Sequence, residues 1–508
     1  MTIVDFYRRT FLAGVAAAAL AGCGGGAGNP LALPNMLSLH RHTSGSSPIQ
    51  HVVIIVQENR SFNNFFAGFP GANDTMVGKE KVKKGGKWVE KSVKLVEQPL
   101  LPTPNHDIGH CYYSFVTAYD SGKMDGFDYE PLNTCPRSFT GGTPSKTYPY
   151  QYVNPTDIAP YWDMAEQYVL ADAMFQTQGS GSFTAHQDLI RGGTALAGPY
   201  GSSASMIDTP TYYPWGCDAP APTVTDLITL KLKWELDTGP YPCTKDFPYS
   251  GSSTYTTLAD LLDSAGVSWK YYSPCFVGSP SSADCPGTSR QCKGCDGGLL
   301  NAFDVIDSVR YGKEWGTNVD MPETNVLKDI SNGALPAVSW VIPNDDNNDH
   351  LGEKTDDGPS WVASVVNAVG QSSYWNSTAI VILWDDWGGL YDNAAPACLS
   401  KSQCRDDQGG LGFRVPAIVV SPYAKLGQSS QGGYVSHTQY EFGSILKYVE
   451  QNFGLTVGGL ETTDKRAASI SDVFNYTQKP RKFTVIPSKH DANWFIAHHP
   501  ARSHGDPE

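Results

Sequence analysis

Two apolar runs that stop abruptly in acidic and amide side chains limit what this chain can fold into. They are HVVIIVQENRSFNNFF at 51–66 and TAIVILWDDWGGLYDN at 378–393. Continuous Val, Ile and Leu without polar alternation suits parallel strands buried on both faces. The first run ends at Glu58-Asn59 and the second at Asp385-Asp386. In open α/β sheets, ligands bind just beyond strand carboxyl ends. Adjacent strand residues point to opposite faces, so both members of a pair meet one ligand only if the backbone bends there. The NRS loop and the Gly388-Gly389 step allow that bend. Four oxygen donors from two such ends, Glu58, Asn59, Asp385 and Asp386, suit a divalent cation.

Other segments extend the same pattern. Strands are expected at 51–57, 268–273, 337–342, 378–384 and 415–421, and helices at 256–265, 360–369 and 438–452. Their alternation reads as α/β with a largely parallel sheet. With 508 residues, one large decorated domain and two domains are both open. The stretches around 199–253 and 274–299, rich in Tyr, Pro, Ser, Gly and Cys, read as disulfide-pinned insertions that form a lid or pocket wall. The basic stretch 79–94 carries a Gly-Gly turn between alternating Val and reads as a hairpin. It is either a solvated edge or a surface that meets an anionic partner.

The first residues are expected to be a targeting segment rather than part of the fold. Arg8-Arg9 precede FLAGVAAAALAG, which is too short for a membrane-spanning helix. The run ends in Leu20-Ala21-Gly22-Cys23, which resembles a bacterial lipoprotein box. The expected division is a signal peptide at 1–22, a lipoprotein-type tether at 23–47, a catalytic domain at 48–490 and a tail at 491–508. Lipidation of Cys23 would give a membrane anchor; an ordinary signal peptide cut nearby is the other reading. Both imply export to the cell envelope or beyond. Of eleven cysteines, Cys23 leaves ten, an even count that suits up to five disulfides in an exported protein. Cys398–Cys404 is one plausible local pair. Cys292 and Cys295 have half the spacing of a zinc site, but no second matched pair follows. The net charge of −14 argues against nucleic acid as the main partner, though not against a small anionic substrate held on a metal.

Chemistry-bearing residues lie between these elements. QTQGSGSFTAHQDLIRGG at 176–193 puts Ser182 at a Gly-rich turn that opens a helix, where backbone N–H groups can hold an anion. Ser182 there is either an N-capping residue or, on a metal, a nucleophile. His110, His186, His350 and His437 can each bind a metal, or bind and protonate a phosphoryl oxygen or leaving group. Asp345, Asn347 and Asp349 have the spacing of an EF-hand loop, but His350 stands where Gly is required. No GxSxG elbow and no Walker-type or GxGxxG loop follows a strand, which leaves serine esterases and nucleotide-cofactor folds unsupported.

Taken together, eight ordered blocks resemble the bacterial phosphoesterase family of non-haemolytic-type phospholipases C and exported acid phosphatases. They include HVVIIVQENRSFNNFFAGFPG, DIGHCYYSFVTAYDSGKMDGF, GSFTAHQDLIRGG, VSWVIPNDDNNDH and TAIVILWDDWGGLYDN. The resemblance implies an alkaline-phosphatase-like α/β core and metal-assisted hydrolysis of phosphate esters. It implies Glu58, Asn59, Asp385, Asp386 and Ser182 as metal ligands, with Ser182 at the nucleophile position. His110 and His350 would contact the phosphoryl group, and His186 and His437 would be weaker substrate-binding matches. Two departures stand out: the family's YDHV is YDNA here, so Asn393 replaces a His, and DHTS is EFGS from Glu441 to Ser444. The substrate is therefore a phosphate monoester or a phospholipid diester, with a non-catalytic surface-binding lipoprotein as the contrasting reading.

Overall fold

Seven residues of His51–Gln57 pair in parallel register with Thr378–Trp384, from His51 opposite Thr378 to Gln57 opposite Trp384. Both strands are buried almost throughout, as the unbroken apolar runs require. They form the centre of a nine-stranded sheet. From one edge its order is Val319–Asp320, Trp269–Tyr272, Val338–Val341, His51–Gln57, Thr378–Trp384, Arg414–Val420, Val169–Phe175 and Tyr434–Ser436, with Tyr440–Glu441 also on Val169–Phe175. Only Arg414–Val420 runs against its neighbours. The expected α/β fold with a mostly parallel sheet is present.

The computed structural model describes residues 47–135, 143–196, 204–206, 216–219, 223–229, 233–239, 243, 255–274, 300–396, 410–427 and 433–498. The signal segment, the tether with Cys23, most of the 274–299 insertion, the Cys398–Cys404 pair and Cys292–Cys295 lie outside them. In the 199–253 insertion, Cys217 and Cys243 form a disulfide, so one pin of that segment is present. Among the described residues, no helix is long and apolar enough to cross a membrane.

The helices begin and end where local chemistry demands. Leu258–Ala265 starts at a reciprocal cap between Thr257 and Asp260 and stops at Gly266 with φ of 67°. Gly358–Gly370 carries Pro in its first turn and buries Trp361, Val362, Val365, Val366 and Val369. The last expected helix is shorter than 438–452. It is Phe442–Phe453, because Glu441 is extended and caps the helix reciprocally with Ser444. Arg414–Val420 tolerates Pro416 because the ladder shifts register between Val415 and Ala417, where no N–H is needed.

Candidate active site

The level pairing of His51–Gln57 with Thr378–Trp384 brings the two acidic junctions to the same height. The Asp385 N–H donates to the Gln57 carbonyl at 2.9 Å, and the Asn59 N–H donates to Asp385 Oδ1 at 2.9 Å. The bend needed to turn adjacent side chains toward one point is real. Asn59 has φ of 59°, and Gly388 and Gly389 have φ of 60° and 68°. A Cβ on Gly388 would run into the Asn59 carbonyl, so Gly there serves both the conformation and the close approach. Asp386 Oδ1 accepts the Gly388 N–H at 2.7 Å, which fixes its carboxylate.

The third contributor comes from Val169–Phe175, whose end leads through a Gly-rich turn into the buried helix Ser182–Arg191. Ser182 is the first residue of that helix, after Gly181, and is completely buried. Its hydroxyl donates to Asp386 Oδ2 at 3.1 Å. His186, four residues on and therefore on the same helix face, places Nε2 3.1 Å from Glu58 Oε1 and 3.9 Å from Asp385 Oδ2. One helix thus presents both a hydroxyl and an imidazole to the two strand ends.

On the other side stand the loop histidines. His110 Nδ1–H donates to the Ile108 carbonyl at 2.7 Å, so Nε2 accepts from Asn59 Nδ2 at 2.8 Å; Asp386 Oδ2 is 4.0 Å from that nitrogen. The His350 ring centroid is 5.5 Å from that of His110, and its Nδ1–H donates to the Leu351 carbonyl. Arg60 fixes the loop that carries His350, donating from Nε to the Asp349 carbonyl at 2.6 Å. Burial lowers the Arg60 pKa to about 10 against the opposing pull of Asp349. Burial raises Asp349 to about 6, although Arg60 and bonds from Tyr161 and Trp384 pull it down.

Two groups have donor atoms close enough for one ion, all within 4.8 Å of one another: Glu58 with His186 and Asp385, and Asp107 with His110 and His350. Asn59 Oδ1 and Asp385 Oδ2 are buried and have no hydrogen-bond partner among the described residues. Two inward oxygens without a donor are costly unless a cation completes them, so the donor set fits a divalent metal.

The structure therefore brings Glu58, Asn59, Asp385, Asp386, Ser182, His110, His186 and His350 together. His437 is not among them. Its side chain is 65% exposed and pairs at Nδ1 with Asp172 Oδ2 at 2.8 Å, level with the middle of a strand rather than its end. The two departures from the family pattern also have local partners. Asn393 Oδ1 accepts from Arg414 at 2.8 Å, beside the Arg414–Asp392 ion pair. Glu441 is held by two bonds from Arg466, and burial raises its pKa well above the carboxylate range. Sequence reasoning passed over Asp107 and Arg60. The HDIGH run was the available signal for Asp107, and Arg60 was read only as part of a bend.

A level pair of buried strand ends, a helix-opening serine and flanking imidazoles define a class of α/β proteins with a polar site at the sheet's carboxyl edge. Residues 49–456 match the model of the phosphoesterase family, and the chain belongs to that family. It is 25% identical to the non-hemolytic phospholipase C of Burkholderia pseudomallei over 88% of its own length and 62% of that protein. It is 22% identical to phospholipase C B of Mycobacterium tuberculosis over 93% of its length and 86% of that protein. The match to a protein in the alkaline phosphatase superfamily from Vibrio parahaemolyticus covers 80% of this chain and 67% of that one. Its TM-score is 0.31 and its identity 9%, too low to add to the sheet topology.

Proposed function

We propose that this chain is an exported, metal-dependent phosphoesterase that uses Ser182 as its nucleophile. The reading rests on one observation: Ser182 Oγ contacts Asp386 at 3.1 Å while His186, on the same helix face, reaches Glu58. Glu58, Asn59, Asp385, Asp386 and His186 would hold the cation. When bound, it lowers the pKa of a nearby hydroxyl and neutralises phosphoryl charge. Asp386 orients the Ser182 hydroxyl for in-line attack on phosphorus. The first turn of the Ser182–Arg191 helix directs backbone N–H groups toward the phosphoryl oxygens. The Ser–O–P bond forms as the P–O bond to the alcohol breaks; Asp386 takes the Ser182 proton, and His110 or His350, in its imidazolium form, gives the departing oxygen a proton. Water then attacks the phosphorylated serine, giving a proton to the imidazole while Asp386 returns one to Ser182; a monoester substrate yields phosphate and a diester yields a phosphomonoester.

The names of the relatives favour a phospholipid diester, and a phosphate monoester is the second substrate class. Export, with a lipid anchor at Cys23, is part of the same proposal. Turnover of p-nitrophenyl phosphate and p-nitrophenylphosphorylcholine by wild type and Ser182→Ala tests it. Faster turnover of the choline ester would mark the diester reading, and the reverse the monoester. In either case Ser182→Ala should lose on the order of 10⁶-fold, the scale of removing a covalent serine nucleophile. Undiminished turnover in a folded variant would refute the nucleophile.

A further inference from the structure

Residues Val77–Lys84 and Lys87–Lys94 pair over their full length in an antiparallel hairpin that ends Lys83-Lys84-Gly85-Gly86-Lys87-Trp88. Gly85 and Gly86 both have positive φ, 58° and 81°, as a tight two-residue turn with the twist of its strands requires. The hairpin holds seven lysines against two glutamates in a chain whose net charge is −14. Its root is fixed. Tyr150 donates its hydroxyl to the Lys79 carbonyl at 2.7 Å, and Gly78 packs beneath Tyr150 and Tyr391. Tyr391 follows Asp386 by five residues in the segment after Thr378–Trp384, so the hairpin packs on the end of the sheet that carries the site. Near the root, charges are balanced: Lys81 pairs with Asp120 at 3.0 Å, Lys79 with Glu90 at 3.3 Å, and Lys91 with Glu80.

The tip differs. Lys83, Lys84 and Lys87 are exposed and make no ion pair among the described residues. Trp88 is 57% exposed beside them, with the Lys83 ammonium 5.8 Å from its ring, and Val89 is 38% exposed. A two-stranded ribbon with one strand open on nearly every residue is marginal alone, and a merely solvated edge has no use for an indole left more than half exposed, edge-on to Tyr129 at 5.9 Å. Lysines flanking a Trp at a protruding turn match the chemistry of an anionic bilayer surface. Ammonium groups meet the lipid phosphates and the indole sits at headgroup depth. The hairpin has no Arg, the residue suited to forked recognition of nucleic-acid phosphates and bases.

We propose that the 77–94 hairpin docks the protein on anionic phospholipid membranes through Lys83, Lys84, Lys87 and Trp88. Docking stands on the hairpin; it rests on the phosphoester reading only for why a bilayer is a useful partner. The test uses the full chain with Cys23→Ser in every form, so that no acyl anchor contributes. Co-sedimentation is measured with phosphatidylcholine vesicles with and without phosphatidylglycerol, and with immobilised heparin as a soluble-polyanion control. Binding to phosphatidylglycerol vesicles is expected to fall with salt. It should drop on the order of 10²-fold in Lys83→Gln/Lys84→Gln/Lys87→Gln, from three lost surface charges. Trp88→Ala is expected to weaken it several-fold. Turnover of a soluble ester should stay unchanged in both variants, and near-UV circular dichroism reports folding if no turnover exists, which separates failure of docking from failure of the enzymatic reading. Equal vesicle binding by wild type and the lysine variant, or retention on heparin without vesicle binding, would overturn the proposal.

Discussion

Asn59 and Gly388 touch across the junction of two strand ends, and both stand at positive φ. Gly388→Ala would place a methyl group against the Asn59 carbonyl and hold an L-residue in the left-handed region, which costs roughly 1–2 kcal/mol. Its larger effect should fall on chemistry. Displacing Asn59 shifts its contact with His110, and misplacement by about 1 Å can cost on the order of 10²-fold in turnover. Steady-state kinetics on a soluble ester beside urea denaturation checks this; full activity in Gly388→Ala would show that Asn59 need not sit where it does. Glu58, Asn59, Asp385 and Asp386 were legible in the sequence because an apolar strand that ends in acids has few structural uses. Ser182 and His186 were legible as residues, but their shared helix face depends on the helix beginning at Ser182. Arg60 was not legible, since its partner Asp349 lies far along the chain, whereas Asp107 had a signal in HDIGH, three residues before His110. His437, a weaker substrate-binding match by resemblance, pairs with Asp172 rather than with the other site residues.

Among the elements, the strand Val169–Phe175 escaped the sequence reading. VLADAMF carries Asp172 and two alanines, which dilutes the apolar signal. Asp172 is nonetheless buried, accepting the Asn73 N–H at 2.8 Å and pairing with His437. The long apolar strands and the Gly358–Gly370 helix were readable because period and burial agree. Element stability is also tied to pH through Glu323, just before the helix Asn325–Ser331. Glu323 accepts from Asn344 at 2.6 Å and from Asn347 at 3.4 Å, which anchors the loop leading to His350. Burial raises its pKa from an ordinary 4.5 to about 7, partly offset by the Asn344 bond. The folded protein therefore holds a proton that the unfolded chain has released between those values. This contribution to stability is complete below pH 4.5 and is lost as pH rises through about 7. Thermal melts of wild type and Glu323→Gln across that window should show a wild-type decline that the variant lacks; parallel curves would remove Glu323 from the account.

At the scale of the whole molecule, the site is built from chain segments at 58–60, 107–110, 182–186, 349–350 and 385–389, so it exists only when the sheet is closed. Fold class and the meeting of front and rear halves followed from two strand patterns and one helix-opening serine. The stretches around 199–253 and 274–299 were legible only as composition, because cysteine pairing depends on geometry that spacing does not encode; Cys217–Cys243 is the pair formed among the described residues of the first. The central claim is that both halves grip one cation beside Ser182. Metal analysis of the purified protein, with turnover measured before chelation, after it and after restoring divalent metal, tests this most directly. The account predicts tightly bound divalent metal in the wild type, loss of turnover with its removal, recovery on return, and strongly reduced metal in Asp385→Asn. A wild-type protein stripped of metal that still hydrolyses the ester at its original rate would contradict it.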